Sequence, residues 1–167
     1  MISIKKSNYN GTETHRMHEL DGLPLASFTK RAVAFIVDFL IAAFLSVPVL
    51  MVSAYILQRF GLIKEDLRLV FDFEHWYSII LLVIYFSLST YYGKGKTPGK
   101  KLMGIRVISV VHEKIGFWHA VERALGYGAS FLEFGFGFLQ YFIDVNRRTV
   151  HDRLAETIVI QDRKSKD

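Results

Sequence analysis

Residues 32–57 read AVAFIVDFLIAAFLSVPVLMVSAYIL, an apolar block in which Asp38 is the only formal charge. A helix of these 26 residues, at a rise of about 1.5 Å per residue, is longer than the ~30 Å hydrocarbon core of a bilayer. The block therefore predicts a transmembrane helix. It follows a polar segment and is too long for the core of a signal peptide, so we expect an uncleaved anchor.

Two further apolar blocks follow. Residues 76–92 carry no formal charge and have aromatic residues at both ends, as at the two interfaces of a membrane span. Residues 120–143 contain two glutamates, Arg123 and four glycines, so one straight lipid-facing helix is not expected there. We predict an all-α integral membrane protein with two full transmembrane helices and a third block that is broken or forms a helical hairpin.

Two short segments have the composition of strands. Residues 105–111 are rich in β-branched side chains, and residues 157–160 read TIVI. Unpaired strand edges are costly near a membrane, so we expect the two segments to pair. This predicts a small two-stranded β element on the cytoplasmic side.

The composition sets the class of protein and its partners. Apolar types make up 51% of the 167 residues, enough for one domain, which we place at residues 26–161 between a flexible arm (1–25) and a charged tail (162–167). The net charge of +5 would suit a nucleic-acid binder, but the basic residues flank apolar blocks. We therefore expect the lipid bilayer as a partner and no nucleic acid.

The distribution of positive charge predicts the topology. Lys and Arg number 5 before the first block, 3 between the first two blocks, 7 from Lys94 to Arg123 and 6 after Ile143. The connection poorest in positive charge faces outward, which places the N-terminus in the cytoplasm. A returning third block brings the C-terminus back there too. We predict a multi-pass protein of the bacterial cytoplasmic (inner) membrane.

The motifs for catalysis are weak. GKGKTPGKK, residues 93–101, lacks the order of a phosphate-binding loop, and we interpret it as a turn with lysines near lipid headgroups. The chain has no cysteine, and its histidines lack the spacing of metal ligands. We expect no metal, no cofactor and no enzymatic activity.

The remaining candidates are charged residues beside or inside the apolar blocks. Asp38 lies seven residues after Arg31, so both project from nearly one helical face. Two interpretations stay open: a structural salt bridge from Asp38 to Arg31, Arg123 or Arg148, or a proton or cation relay through Asp38. Asp152 is expected to pin the turn before the last strand by pairing with an arginine.

Three motifs together resemble the RDD family of membrane proteins. They are SFTKRAVAFIVD (27–38), GKTPGKKLMGIRV (95–107) and RRTVHDRLAETIV (147–159), and the resemblance covers about residues 26–160. The family takes its name from one arginine and two aspartates, which the resemblance assigns to Arg31, Asp38 and Asp152. Glu156 departs from the pattern, since a glycine is more usual at that position.

The resemblance implies a function only in outline. The family has been linked to transport, including cation/proton antiport, so we expect a transporter with Asp38 as the titrating group. Three apolar blocks hardly enclose a pathway, which would require a homo-oligomer. The alternative is a non-transporting accessory or assembly subunit that binds a membrane protein partner. The residues expected to act together are Arg31, Asp38, Arg123, Arg148 and Asp152.

Overall fold

The computed structural model describes residues 19–62, 75–132 and 136–162. Its elements in chain order are α1 (Phe28–Arg59), α2 (Trp76–Tyr92), α3 (Pro98–Leu102), β1 (Ile105–Ser109), α4 (Phe117–Leu132), α5 (Phe136–Ile143), α6 (Val150–Leu154) and β2 (Thr157–Gln161). Most of the arm predicted at 1–25, Glu133 and nearly all of the tail at 162–167 lie outside the described residues.

Helix α1 contains the first apolar block. Ser27 caps its N-terminus by accepting a hydrogen bond from the backbone N–H of Lys30 at 3.4 Å. Most of its large apolar side chains are exposed, including Phe44 at 77%. Such a surface is unfavourable in water and suits lipid. Within the described ranges, α1 is the one helix long and apolar enough to cross a membrane.

Helix α2 coincides with the second apolar block. Its 17 residues fall below the roughly 20 that a transmembrane helix usually needs. Two full transmembrane helices therefore stay a prediction, whereas the long apolar helix α1 is confirmed.

The third apolar block is divided between α4 and α5. The ring of Phe117, at the start of α4, packs on Tyr91 at the end of α2, with centroids 5.7 Å apart. The ring of Tyr141, in α5, packs on Phe28 at the start of α1, with centroids 5.4 Å apart. The start of α4 and the end of α5 therefore both lie at the end of the molecule where α1 begins.

The predicted two-stranded element is confirmed. β1 and β2 pair antiparallel, with Val107 opposite Val159, and both residues are buried. Leu25, the last residue of the predicted arm, adds a bridge to Ile160 and is itself buried. The strands, α3, α6 and residues 24–26 lie together against the start of α1, and we call this part the cap.

Glu156 joins α6 to β2 in a backbone conformation that suits glycine. Its φ is +47° and its side chain is exposed. L-residues with a Cβ are strained in this left-handed region, whereas glycine adopts it freely. The residue that departs from the family pattern is thus also one of three non-glycine residues with a positive φ in the described part of the chain; the others are Lys94 and Arg147.

We predict that Glu156→Gly stabilises the protein. Relief of the left-handed strain exceeds the entropy that glycine loses on folding, so the free energy of unfolding should rise by about 0.5–1 kcal/mol. Denaturant unfolding in a mild detergent measures this change. Glu156→Ala serves as the control, because alanine keeps the Cβ. Equal effects of the two substitutions would contradict the strain argument.

Candidate functional site

A fully buried carboxylate, that of Asp152, connects the cap to the helices. Arg31 Nη1, in α1, donates to Asp152 Oδ2 at 2.8 Å, and Arg123 Nη1, in α4, donates to Asp152 Oδ1. The backbone N–H of Thr149 also donates to Oδ2, at 3.1 Å, which fixes the first turn of α6. One carboxylate thereby joins α1, α4 and α6.

The two arginines extend this cluster to β2. Arg31 Nη2 donates to the carbonyl oxygen of Val159 at 3.2 Å, and Arg123 Nη1 donates to Thr157 Oγ1 at 2.7 Å. The guanidinium of Arg31 also lies over the ring of Tyr141, 5.1 Å from its centroid. The position of the last strand therefore depends on the same two side chains that bind Asp152.

The charge states of α6 follow from this cluster. Burial raises the pKa of Asp152, but the Arg123 and Arg31 guanidiniums outweigh burial and hold that pKa below its usual range. Burial lowers the pKa of the neighbouring His151 to about 3, and the attraction of Asp152 offsets this only in part. His151 is therefore neutral near pH 7. Its ring nitrogen lies 2.9 Å from Thr149 Oγ1.

Asp38 is the second fully buried carboxylate, and it binds α2 and α3 to α1. Its Oδ1 accepts the backbone N–H of Gly99 at 2.7 Å and the hydroxyl of Tyr85 at 3.3 Å. Its Oδ2 accepts the hydroxyl of Thr97. A Cβ at Gly99 would overlap the carbonyl oxygen of Ala34, so only glycine allows α3 to approach α1 this closely.

Two expectations about arginine partners are wrong. Within the described ranges Asp38 bonds to hydroxyls and a backbone amide, not to Arg31, Arg123 or Arg148. Arg148 also lies apart from the cluster, since its Nε is 3.6 Å from the carboxylate of Asp144, one helical turn earlier in sequence. The structure thus brings Arg31, Arg123 and Asp152 together, and places Asp38 in a separate network.

A pocket of about 390 Å³ lies between the two networks. One side is a single face of α1, contributed by Phe28, Arg31, Ala32, Phe35 and Ile36. The other residues that line it come from α4 and the cap: Lys100, Ile105, Arg123, Tyr127, Thr149, His151 and Val159.

Sequence reasoning missed Lys100. It lies in the segment interpreted as a turn with lysines near lipid headgroups, yet it is only 5% exposed. Its Nζ donates to Thr97 Oγ1 at 3.3 Å. The available signal was Thr97-Pro98, an N-cap followed by proline at the first helical position. That signal predicts α3, and a helix at this point turns Lys100 toward α1.

We predict that the protein loses stability as the pH falls from 6.5 to 4.5, in part through His151. The unfolded chain takes up a proton near pH 6.5, whereas folded His151 resists it until about pH 3. The full contribution of neutral His151 to the free energy of unfolding is present above pH 6.5. Below that pH the free energy of unfolding falls by up to about 1.4 kcal/mol per pH unit.

Denaturant unfolding of His151→Gln between pH 4.5 and 7.5 tests this sign. The variant should show a flatter pH profile than the unsubstituted protein. His75→Gln is the control, because His75 is exposed and precedes α2 at the end opposite the one that leads into the cap. An unchanged slope in His151→Gln would refute the assignment.

The comparisons with known proteins bear on the same residues. A model described as the RDD family matches residues 25–156. No curated protein and no solved structure matches the chain. The matched range includes both buried carboxylates and all three cationic side chains that line the pocket. It covers most of the chain, and we conclude that this protein belongs to the RDD family and is a membrane protein.

Proposed function

We propose that this protein binds an anionic group in the pocket beside α1 and acts as a non-catalytic accessory subunit of a membrane protein complex. The observation that carries the proposal is the charge around the pocket. Three cationic side chains, Arg31, Lys100 and Arg123, line it. Among the described residues, Asp152 pairs directly with the two arginines, and Asp38 is linked to Lys100 only through the hydroxyl of Thr97. Two buried carboxylates thus face three cations, which leaves one positive charge in excess.

Lys100 contributes most to this excess. Its ammonium group has three donors, and among the residues described its hydrogen-bond partner is a hydroxyl, Thr97 Oγ1. The salt bridges formed within those ranges do not include Lys100. A buried ammonium without a direct counter-ion is costly, and a bound anion offsets that cost.

The arginines add charge that Asp152 satisfies only in part. Their Nη1 groups bind Asp152, and the buried Nε atoms of Arg31 and Arg123 have no hydrogen-bond partner in the described part of the chain. Two guanidiniums share one carboxylate, so a second anion near these side chains finds favourable charge.

The same observations support cation/proton exchange less well. A cation in this pocket would be repelled by three positive side chains. Asp38, the expected titrating group, accepts bonds from two hydroxyls and one amide, an arrangement that favours a structural carboxylate. A homo-oligomeric cation exchanger thus remains the second hypothesis, and binding without transport is the first.

We further propose that the cap faces the cytoplasm. The two stretches of sequence that include its strands and short helices, residues 94–123 and 147–166, carry 13 of the 21 Lys and Arg residues, which favours the cytoplasmic side of a bacterial inner membrane. Both termini are then cytoplasmic, because the segments next to them pack within the cap.

We predict that inorganic phosphate stabilises the purified protein in a neutral detergent more than chloride of equal ionic strength does. At ten times its Kd, a ligand raises the free energy of unfolding by about 1.4 kcal/mol. Lys100→Gln should abolish this stabilisation. Lys101→Gln is the matched control, since Lys101 is the adjacent lysine and is exposed. Equal responses to phosphate and chloride in all three proteins would refute the anion site.

We also predict that Asp38→Asn unfolds more easily, by about 2–3 kcal/mol, because the bonds from Thr97 and Gly99 lose their charge assistance and an amide NH2 replaces one of the two acceptor oxygens. Tyr85→Phe removes one longer bond and should lower the free energy of unfolding by about 0.5–1 kcal/mol.

The unsubstituted protein in vesicles should show no proton flux coupled to Na⁺ or K⁺. A stable Asp38→Asn variant that has lost such a flux would instead support the exchanger.

A further inference from the structure

We infer that the anionic group is the phosphate or carboxylate headgroup of a membrane lipid, whose chain lies along one face of α1. This inference rests on the proposed anion site and names its ligand class. The pocket combines two kinds of surface: cationic side chains on one side, and apolar side chains that belong to a helix facing lipid.

The apolar wall argues against a small hydrated ion. Phe28, Ala32, Phe35 and Ile36 line the pocket from α1, and Tyr127 lines it from α4. A small ion would exchange part of its hydration shell for these apolar groups, which is unfavourable. An amphiphile places its charge at Lys100 and its carbon chain against the apolar wall, so both surfaces are used.

The apolar wall continues out of the pocket along α1. Ala32 and Ile36 line the pocket, and Leu40 and Phe44 follow at the same four-residue spacing. Leu40 is 61% exposed and Phe44 is 77% exposed. We call these four residues the α1 stripe. Residues four apart are one turn apart along a helix and offset by about 40° around it, so the stripe is continuous and winds gradually around α1.

The length of the stripe fits one leaflet of a bilayer. Twelve residues separate Ala32 from Phe44, which corresponds to about 18 Å at the helical rise of about 1.5 Å per residue. Half of the ~30 Å hydrocarbon core is about 15 Å. A lipid with its headgroup in the pocket therefore has its chain beside the stripe for the depth of its own leaflet.

Dodecyl phosphate, used below its critical micelle concentration, is the probe that tests this inference. The full chain in a neutral maltoside detergent is titrated with dodecyl phosphate and, separately, with inorganic phosphate. Native mass spectrometry gives the stoichiometry, and thermal unfolding gives the affinity. We expect one dodecyl phosphate per chain, bound at least about tenfold more tightly than inorganic phosphate because of chain burial.

Two pairs of variants separate the headgroup from the chain. Lys100→Gln should weaken both probes, whereas Lys101→Gln should leave both unchanged. Leu40→Ala should weaken dodecyl phosphate alone. Leu45→Ala is its matched control, because Leu45 is 49% exposed and lies about 140° away around the helix. Leu40 and Leu45 are exposed leucines, so neither substitution removes a core contact.

Each outcome has one meaning. Tighter binding of dodecyl phosphate that depends on Lys100 and Leu40 supports the lipid site. Equal affinities for the two probes, or no effect of Leu40→Ala, overturn the lipid inference and leave the anion site standing. If Lys100→Gln leaves the affinity for dodecyl phosphate unchanged, the probe adsorbs to the apolar surface, and the lipid inference is overturned as well. Failure of both probes to bind refutes the anion site itself.

Discussion

The buried carboxylate of Asp152 is the constraint on which the cap depends. Removing such a group from water is expensive, and the cost is recovered only when its charged partners are all in place. Arg31 and Arg123 are 92 residues apart in sequence and lie on two different helices, and both also bind β2. The last strand, the short helix before it and the two long helices are therefore fixed together or not at all.

The network around Asp38 constrains the opposite side of the pocket. It draws Thr97 and Gly99 against α1, and the short helix that begins there brings Lys100 inward. The pocket is what remains between the two networks, because the face of α1 between them is covered by neither α3 nor α6. Its charge follows from the two networks. Asp152 holds Arg31 and Arg123 beside the pocket, and the bonds of Asp38 to Thr97 and Gly99 fix the helix that carries Lys100.

The composition of short stretches of sequence was sufficient to predict the long helix and the two strands. The apolar run at residues 32–57 predicted α1, and the β-branched residues predicted both strands and their pairing. The partners of Asp38 were not predictable, because they lie 47 to 61 residues away and are a hydroxyl, a second hydroxyl and a backbone amide. Charge complementarity suggested arginine instead. Lysines that flank an apolar block normally face water or headgroups. The Thr97-Pro98 pair indicates where α3 begins, but Lys100 is buried because α3 approaches α1 closely at Gly99 and Ala34, a contact between residues far apart in sequence.

Helix α1 performs two tasks on different faces. Arg31 and Asp38, seven residues apart, share the face that holds the cap, whereas the α1 stripe runs along a face that turns progressively away from it toward lipid. The pocket lies where these faces meet, so a ligand there contacts the helix that faces lipid and the cap that Asp152 holds. Such a ligand would add an attraction between α1, α3 and α4 without replacing either carboxylate. Occupancy of the pocket is therefore coupled to the stability of the cap. A subunit that only binds its ligand can use this coupling, because it does not require transport of the ligand or of an ion across the membrane.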